Sequence, residues 1–216
     1  MENPVKVGMK WLDIWKEDLE PGILRYEAEH VEKGQIVFYG PSNFTRWSER
    51  YGNLPLREAL PGRSGKLCAV NRGFGSSCEE HHLFYYPRLV RPLEPSVLVY
   101  SPGLGNGLAF GYTPEELFAL AQRVVVYAQS DFPALRVYLL GLNLNKKHDD
   151  RHRAFDGWLR EFSAQTPNCT YLDITACAPM ARPDIYVEDN VHYNHEGYRL
   201  YADFFREALK DELDRF

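Results

Sequence analysis

Five short runs of strand-forming apolar residues, separated by stretches with helical periodicity, constrain this chain more than any other feature. The runs are Ile36–Tyr39, Leu67–Val70, Val97–Tyr100, Val137–Leu140 and Tyr171–Ile174. Parallel strands cannot be joined by a tight turn and need a crossover. Regular strand–helix alternation therefore predicts βαβ units and a mostly parallel sheet, an α/β fold. The helical stretches support this. Ser77-Cys78-Glu79-Glu80 and Thr113-Pro114-Glu115-Glu116 both read as capping boxes, with Pro114 at a first helical position. The second helix continues with Leu117, Leu120, Ala121, Val124 and Ala128 on one face. Pro87 is expected to kink or end the first. A last helix carries Tyr198, Tyr201, Phe205, Leu209, Leu213 and Phe216 at helical spacing.

The 216 residues suit one domain. Residues 1–34 read as an N-terminal helical arm, with Trp11, Ile14, Trp15 and Leu19 forming one apolar stripe packed on the outside of the fold. Residues 35–216 read as a single domain without internal repeats or linkers. A net charge of −5 argues against nucleic acid or an anionic membrane as partner, because both need a basic face. No apolar run approaches the length of a membrane span, and the first twenty residues mix acids with bases, unlike a secretion signal. The expectation is a cytoplasmic protein. Cys68, Cys78, Cys169 and Cys177 show no Cys-x-x-Cys spacing and are expected as packed thiols.

Chemistry is concentrated in four places. The run Ile36–Tyr39 ends in Gly40-Pro41-Ser42-Asn43, a turn that sets a serine at the carboxyl end of a strand, where open α/β sheets bind ligands. A serine hydroxyl attacks nothing unless a base takes its proton. Near the C-terminus, Asp189-Asn190-Val191-His192 places an acid three residues before a histidine. Within one turn that carboxylate can hold the imidazole Nδ1–H and leave Nε2 to accept a proton, the logic of a Ser-His-Asp triad. The bland alternative is a surface turn and helix cap. His195 is a rival base, but it lacks an acid at the same offset. An acyl-transfer site also needs donors for an oxyanion. Two glycine loops qualify: Val70 to Ser77, through the Ser76 amide, and Tyr100 to Gly107, through the Asn106 side chain. Either could equally be an ordinary strand-end turn. Neither carries a dinucleotide fingerprint or a Walker lysine.

Taken together, these four features resemble the SGNH hydrolases, the GDSL-like lipases and acylhydrolases. Val70-Asn71-Arg72-Gly73-Phe74-Gly75 and Asp189-Asn190-Val191-His192-Tyr193-Asn194 carry the resemblance most strongly, and Pro87 to Pro95 adds to it. It runs from about Ile36 to the last helix. It implies a three-layer α/β/α sandwich on a five-stranded, flavodoxin-like sheet. It also implies Ser42 as nucleophile, His192 as base, Asp189 as orienting acid, and the Ser42 amide, Ser76 amide and Asn106 side chain as oxyanion donors. Three departures stand out. Pro41 replaces an Asp or Ser, Ser76 replaces a Gly, and Ser101–Gly105 lengthen the third loop by two residues.

The resulting expectation is a serine esterase or acylhydrolase acting on a small-molecule ester, with an acetyl or other short acyl group on a carbohydrate or lipid. No cofactor or metal is expected, and no sequence feature marks an oligomer. The alternative is a weak or inactive relative that binds a carbohydrate or acylated ligand; a flavin or nucleotide binder ranks third. Arg46 and Trp47 read as braces for the serine turn, with Arg46 within reach of an anionic substrate. Glu79, Glu80, His81 and His82 are metal-ligand types, but adjacent helical residues point to different sides. His148, Asp149, Asp150 and His152 beside Lys146 and Lys147 read as a solvated charge run. Tyr85, Tyr86, Tyr100, Phe110 and Tyr112 are candidates for either cleft or core.

Overall fold

The computed structural model describes residues 12–143 and 149–216, with side chains from residue 17 onward. Five strands form one all-parallel sheet: β1 (Ile36–Gly40), β2 (Ala69–Gly73), β3 (Val97–Tyr100), β4 (Arg136–Leu140) and β5 (Cys169–Leu172), in the order β2-β1-β3-β4-β5. Helices occupy both faces: α1 (Leu12–Glu27), α2 (Ser42–Thr45), α3 (Leu56–Ala59), α4 (Glu79–Leu89), α5 (Leu104–Ala109), α6 (Pro114–Asp131), α7 (Asp150–Gln165), α8 (His195–Ala208) and α9 (Lys210–Leu213). This is the parallel sheet expected from the alternation, in the α/β/α sandwich that the resemblance implies.

Strand alternation divides the core in two, because successive side chains point to opposite faces. Val37 and Tyr39 join Leu98, Tyr100, Val137 and Leu139 beneath α1, α4, α6 and α7. Ile36 and Phe38 join Val97, Val99, Leu140 and Leu172 beneath α8 and α9. A fully buried side chain such as Phe38 contributes about 2–3 kcal/mol, so both layers hold the sheet flat against its helices. The N-terminal helix belongs to the first layer through Leu19 and Ile23, both buried. Trp11, and the side chains of Ile14 and Trp15, lie outside the described residues.

Several boundaries differ from the sequence expectation. β2 starts at Ala69 and continues through Asn71-Arg72-Gly73, which read as loop. Its polar residues are satisfied by tertiary partners: buried Arg72 donates to Glu29 at 2.6 Å and lies over the Tyr26 ring. β5 ends at Leu172 because Asp173 caps the following turn, accepting from the amides of Thr175 and Ala176. α4 runs through Pro87 to Leu89, held by burial of Tyr85, Tyr86 and Leu89 against its neighbours. Its cap is Cys78, not Ser77: the Cys78 amide donates to His81 Nδ1 at 3.1 Å, while the Ser77 hydroxyl is engaged elsewhere. The last helix is broken at Leu209 into α8 and α9. The capping box of Thr113 and Glu116 forms as read. All four cysteines are unpaired thiols. Among the described residues, no helix is long and apolar enough to cross a membrane, and no cluster of three metal-ligating side chains occurs.

Candidate active site

In this strand order the chain leaves β1 in one direction toward β2 and returns on the other side as β3. Ligands of open α/β sheets bind at that switch, outside the carboxyl ends of the strands. Here the cleft is lined from the ends of β1 (Ser42, Asn43), β3 (Ser101 to Asn106) and β4 (Gly141 to Asn143), and by Tyr186, Val191 and Tyr193.

The turn bearing Ser42 is pinned from two sides. The Ser101 amide bonds Tyr39 O at 2.9 Å and the Phe74 amide bonds Gly40 O at 3.0 Å. A Cβ on Gly40 would lie 2.6 Å from Ser101 O, so only glycine lets the β1 and β3 ends approach this closely. Ser42 is the first residue of α2, which is braced by Asn71 donating to Phe44 O at 2.7 Å and by the Tyr198 hydroxyl donating to Asn43 O at 2.9 Å.

His192 reaches the serine from the opposite end of the chain. Its Nε2 is 2.7 Å from Ser42 Oγ, and its Nδ1 is 2.7 Å from Asp189 Oδ2. The loop that carries it is closed by a bridge between Tyr186 and Tyr193, and Asn190 turns it with φ of 55°, a conformation that Asn tolerates. Asp189 Oδ1 accepts from the amides of Val191 and His192, at 2.8 and 2.9 Å. Burial would raise the Asp189 carboxyl. The hydrogen bonds from the His192 amide, the His192 ring and the Val191 amide prevail and hold it well below the usual carboxylate range. A permanently ionised Asp189 can only accept, which fixes the His192 proton on Nδ1 and leaves Nε2 to accept from Ser42. Arg46 lies 3.9 Å from Asp189 and over the Tyr51 ring, and Trp47 is buried. His195 is turned away, with its Nδ1 2.8 Å from Asn53 Oδ1.

The three residues named as oxyanion donors are distributed unequally. The Ser42 and Ser76 amides donate to no acceptor among the described residues. Ser76 is exposed, sits at φ of 60°, and is not part of the cleft lining. Its neighbour Gly75 is the closer residue, since a Cβ there would lie 3.7 Å from Ser42 Cβ. Asn106 lines the cleft with Ser42, and its amide donates to Ser77 O at 2.8 Å, leaving a second N–H on the same nitrogen.

Comparison with known proteins bears on the fold. No protein-family model matches the chain, and no curated protein matches it in sequence. Solved structures do match. A GDSL-like lipase from Bacteroides thetaiotaomicron superposes with a TM-score of 0.67 at 15% identity, covering 88% of this chain and 98% of that one. A variant of an acetyl-xylooligosaccharide esterase from Geobacillus gives 0.61 at 14% identity, covering 83% and 95%. A psychrotrophic esterase from Pseudoalteromonas gives 0.62 at 15% identity, covering 84% and 100%. The chain has an SGNH hydrolase-like fold. At these identities the likeness concerns the fold, and the chemistry has to be argued from the residues.

Several cleft residues of this SGNH fold carried little sequence signal. Asn143 donates to the hydroxyls of Tyr186 (2.5 Å) and Tyr193 (2.6 Å), tying the end of β4 to the His192 loop. His152 also lines the cleft. Its signal was present as Asp149-x-x-His152, the spacing of Asp189-x-x-His192, but the surrounding charges masked it; Lys146, Lys147 and His148 lie outside the described residues. Of the aromatic candidates, Tyr85, Tyr86, Tyr100 and Tyr112 are core residues, and Phe110 packs edge-on against His81.

Behind the third loop lies a polar cluster from the start of α4, formed by the metal-ligand types Glu79, Glu80, His81 and His82, and it is fully buried. The Ser77 hydroxyl donates to Phe74 O, so His82 Nε2–H donates to Ser77 Oγ (2.9 Å) and His82 Nδ1 accepts from Tyr100 (3.2 Å). Burial lowers the His82 pKa, in keeping with this neutral imidazole. Glu80 accepts from the Tyr112 hydroxyl. Neither Glu79 oxygen has a hydrogen-bond partner among the described residues, and burial pushes its carboxyl up to about 8. A neutral folded acid that ionises near 4.3 when unfolded destabilises the fold as pH rises between those values. Glu79→Gln is therefore expected to raise Tm more at pH 8 than at pH 5, with a ceiling of about 5 kcal/mol at the upper end. Equal shifts at the two pH values in thermal melts would show that Glu79 is not buried as a neutral acid.

Proposed function

We propose that this protein is a serine esterase that transfers a short acyl group to water. The reading rests on one observation, the continuous Ser42–His192–Asp189 chain at the sheet's switch point. In the first step His192 Nε2 takes the Ser42 proton as Oγ attacks the ester carbonyl, and the imidazolium then protonates the leaving alcohol. In the second, His192 takes a proton from water, which attacks the acyl-serine and regenerates the hydroxyl. Asp189 keeps the imidazole in one tautomer and offsets its charge while it is protonated. The Ser42 amide, the Asn106 side chain and the amides of Gly75 and Ser76 are the donors within this region for the oxyanion.

The size of the cleft favours a small acyl group. Its volume of about 150 Å³ is that of a cavity able to hold a single benzene ring. Structures of this fold include the GDSL-like lipase and the acetyl-xylooligosaccharide esterase named above, and of these two the acetyl ester suits such a cleft better than a long acyl chain.

A fluorophosphonate probe tests the reading, because it reacts only with an activated serine. Stoichiometric labelling at Ser42 is expected, and His192→Ala should abolish it, since without Nε2 the serine keeps its proton. Absence of labelling would favour a binding protein built on the same fold. Undiminished labelling of His192→Ala protein would remove His192 as the base.

A further inference from the structure

The two loops that carry oxyanion donors are joined at one residue that the serine chemistry does not use. Ser77 ends the loop that begins at Phe74, and its side chain and carbonyl serve different partners. The hydroxyl donates to Phe74 O at 2.5 Å, and the carbonyl accepts from the Asn106 side-chain amide at 2.8 Å. The third loop packs directly on the same residue, since a Cβ on Gly103 would lie 2.6 Å from Ser77 O. Ser77 is held in turn. With its own hydrogen engaged by Phe74 O, Ser77 Oγ accepts from His82 Nε2–H at 2.9 Å, and His82 Nδ1 accepts from the Tyr100 hydroxyl at 3.2 Å. The Tyr39 hydroxyl donates to His82 O at 2.6 Å. Ser77, His82, Tyr39 and Tyr100 are all fully buried. A one-way chain of donors thus runs from the end of β3 through α4 to the loop of Phe74.

Its consequence follows from peptide planarity. Phe74 C=O and Gly75 N–H belong to one rigid peptide unit, so fixing the oxygen fixes the amide on its other side. That amide has no acceptor among the described residues, and Gly75 packs against Ser42, with its Cβ position 3.7 Å from Ser42 Cβ. Without a pin the unit could turn at little cost, because glycine flanks it. The Asn106 side chain is set by the same residue: one N–H on Ser77 O leaves the other in a fixed direction. Mutual satisfaction of two buried polar groups explains why Ser77 and His82 are paired. It does not explain why both contacts of Ser77 fall on the donor loops, when an apolar pair of the same shape could fill the space with little loss of stability.

We propose that Ser77 and His82 are positioning residues that hold the two oxyanion-donor loops in register, so that the Gly75 amide and the Asn106 side chain meet the developing oxyanion at set positions. Neither residue lines the cleft, and neither moves a proton. The kinetic consequence rests on the esterase reading, but the pin on the loop does not require turnover.

Two measurements test it. The first compares p-nitrophenyl acetate with its thiono analogue, in which sulfur replaces the carbonyl oxygen. Sulfur is larger and a weak acceptor, so donors placed for an oxyanion favour the oxygen ester. Ser77→Ala is expected to lower kcat/KM for the oxygen ester by about 30-fold or more, approaching the loss of a whole donor, and for the thiono ester by less than about threefold. His82→Leu should show the same selectivity. His82→Gln, whose side-chain amide can still donate to Ser77 Oγ, should recover most of the activity. Tyr100→Phe removes one buried oxygen and should show the selectivity in weaker form, and it carries the test if the other variants do not fold. Equal losses on the two esters, or none on either, would overturn the proposal, because a merely structural role lowers both alike. The second measurement compares crystal structures of the wild-type and Ser77→Ala proteins. The Phe74–Gly75 peptide is expected to turn in the variant, and an unmoved peptide would overturn the pin. If the wild-type protein hydrolyses neither ester while that peptide turns, the esterase reading fails and the pin stands.

Discussion

Ser42→Ala is expected to lower kcat/KM for p-nitrophenyl acetate by about 10⁴–10⁶-fold, with His192→Ala costing a similar factor and the double variant scarcely more. The reason is mechanical. Without Oγ there is no nucleophile, and without Nε2, now 2.7 Å away, the nucleophile keeps its proton, so either loss removes the same step. Steady-state kinetics with a purification control lacking the enzyme would check this, and His195→Ala supplies the contrast. His195 is paired with Asn53 and turned away from the serine, so that variant should retain activity within about twofold. If the losses of Ser42→Ala and His192→Ala multiplied in the double variant, the two side chains would be acting independently. The triad would then be the wrong description.

The same contacts explain what could be read from the chain before it was folded. Strands β1 and β3 are buried on both faces, and their continuous apolar runs were legible as they stand. β2 was displaced because Asn71 and Arg72 look like loop residues in isolation. Their satisfaction depends on Phe44, Tyr26 and Glu29, which lie on other elements. Likewise, nothing local reveals that Glu79, Glu80, His81 and His82 are buried, because that depends on α4 packing against α6. The contact between Asp189 and His192 spans one turn, so its spacing is visible. The contact of His192 with Ser42 spans most of the chain and depends on where β1 and α8 come to lie. The oxyanion region was the least legible. The Asn106 amide donates back to Ser77 O, a contact across 29 residues that sequence spacing alone does not reveal. The second Asp-x-x-His was present in the sequence, and its neighbours' charges hid the same spacing that marked the first.

Gly73 is where the fold and the site meet most tightly, and Gly73→Ala is expected to damage both. A Cβ at this position would lie 2.5 Å from Phe44 Cβ, 2.5 Å from the Thr45 amide nitrogen and 2.7 Å from Phe44 C. Two of these three are backbone atoms of α2, so no side-chain rotation relieves the clash. β2 is also fixed, by its register with β1 (Gly73 opposite Gly40) and by the Tyr26 hydroxyl on Gly73 O at 2.6 Å. The strain must therefore move α2, whose first residue is Ser42. Overpacking of this kind costs about 2–4 kcal/mol, which in a chain of this length lowers Tm by roughly 6–12 °C. Displacing Oγ by about 1 Å from His192 should also reduce kcat/KM on the order of 100-fold in the fraction that remains folded. Gly157→Ala provides the opposite sign. It lies inside α7 with nothing within 4 Å of the added Cβ, so it should gain about 0.5–1 kcal/mol with unchanged turnover. Thermal melts and kinetics on the two variants separate a specific clash from a general intolerance of glycine replacement. A Gly73→Ala protein that melts at the wild-type temperature would mean that α2 and the end of β2 do not pack as closely as described, and the placement of Ser42 would fall with it.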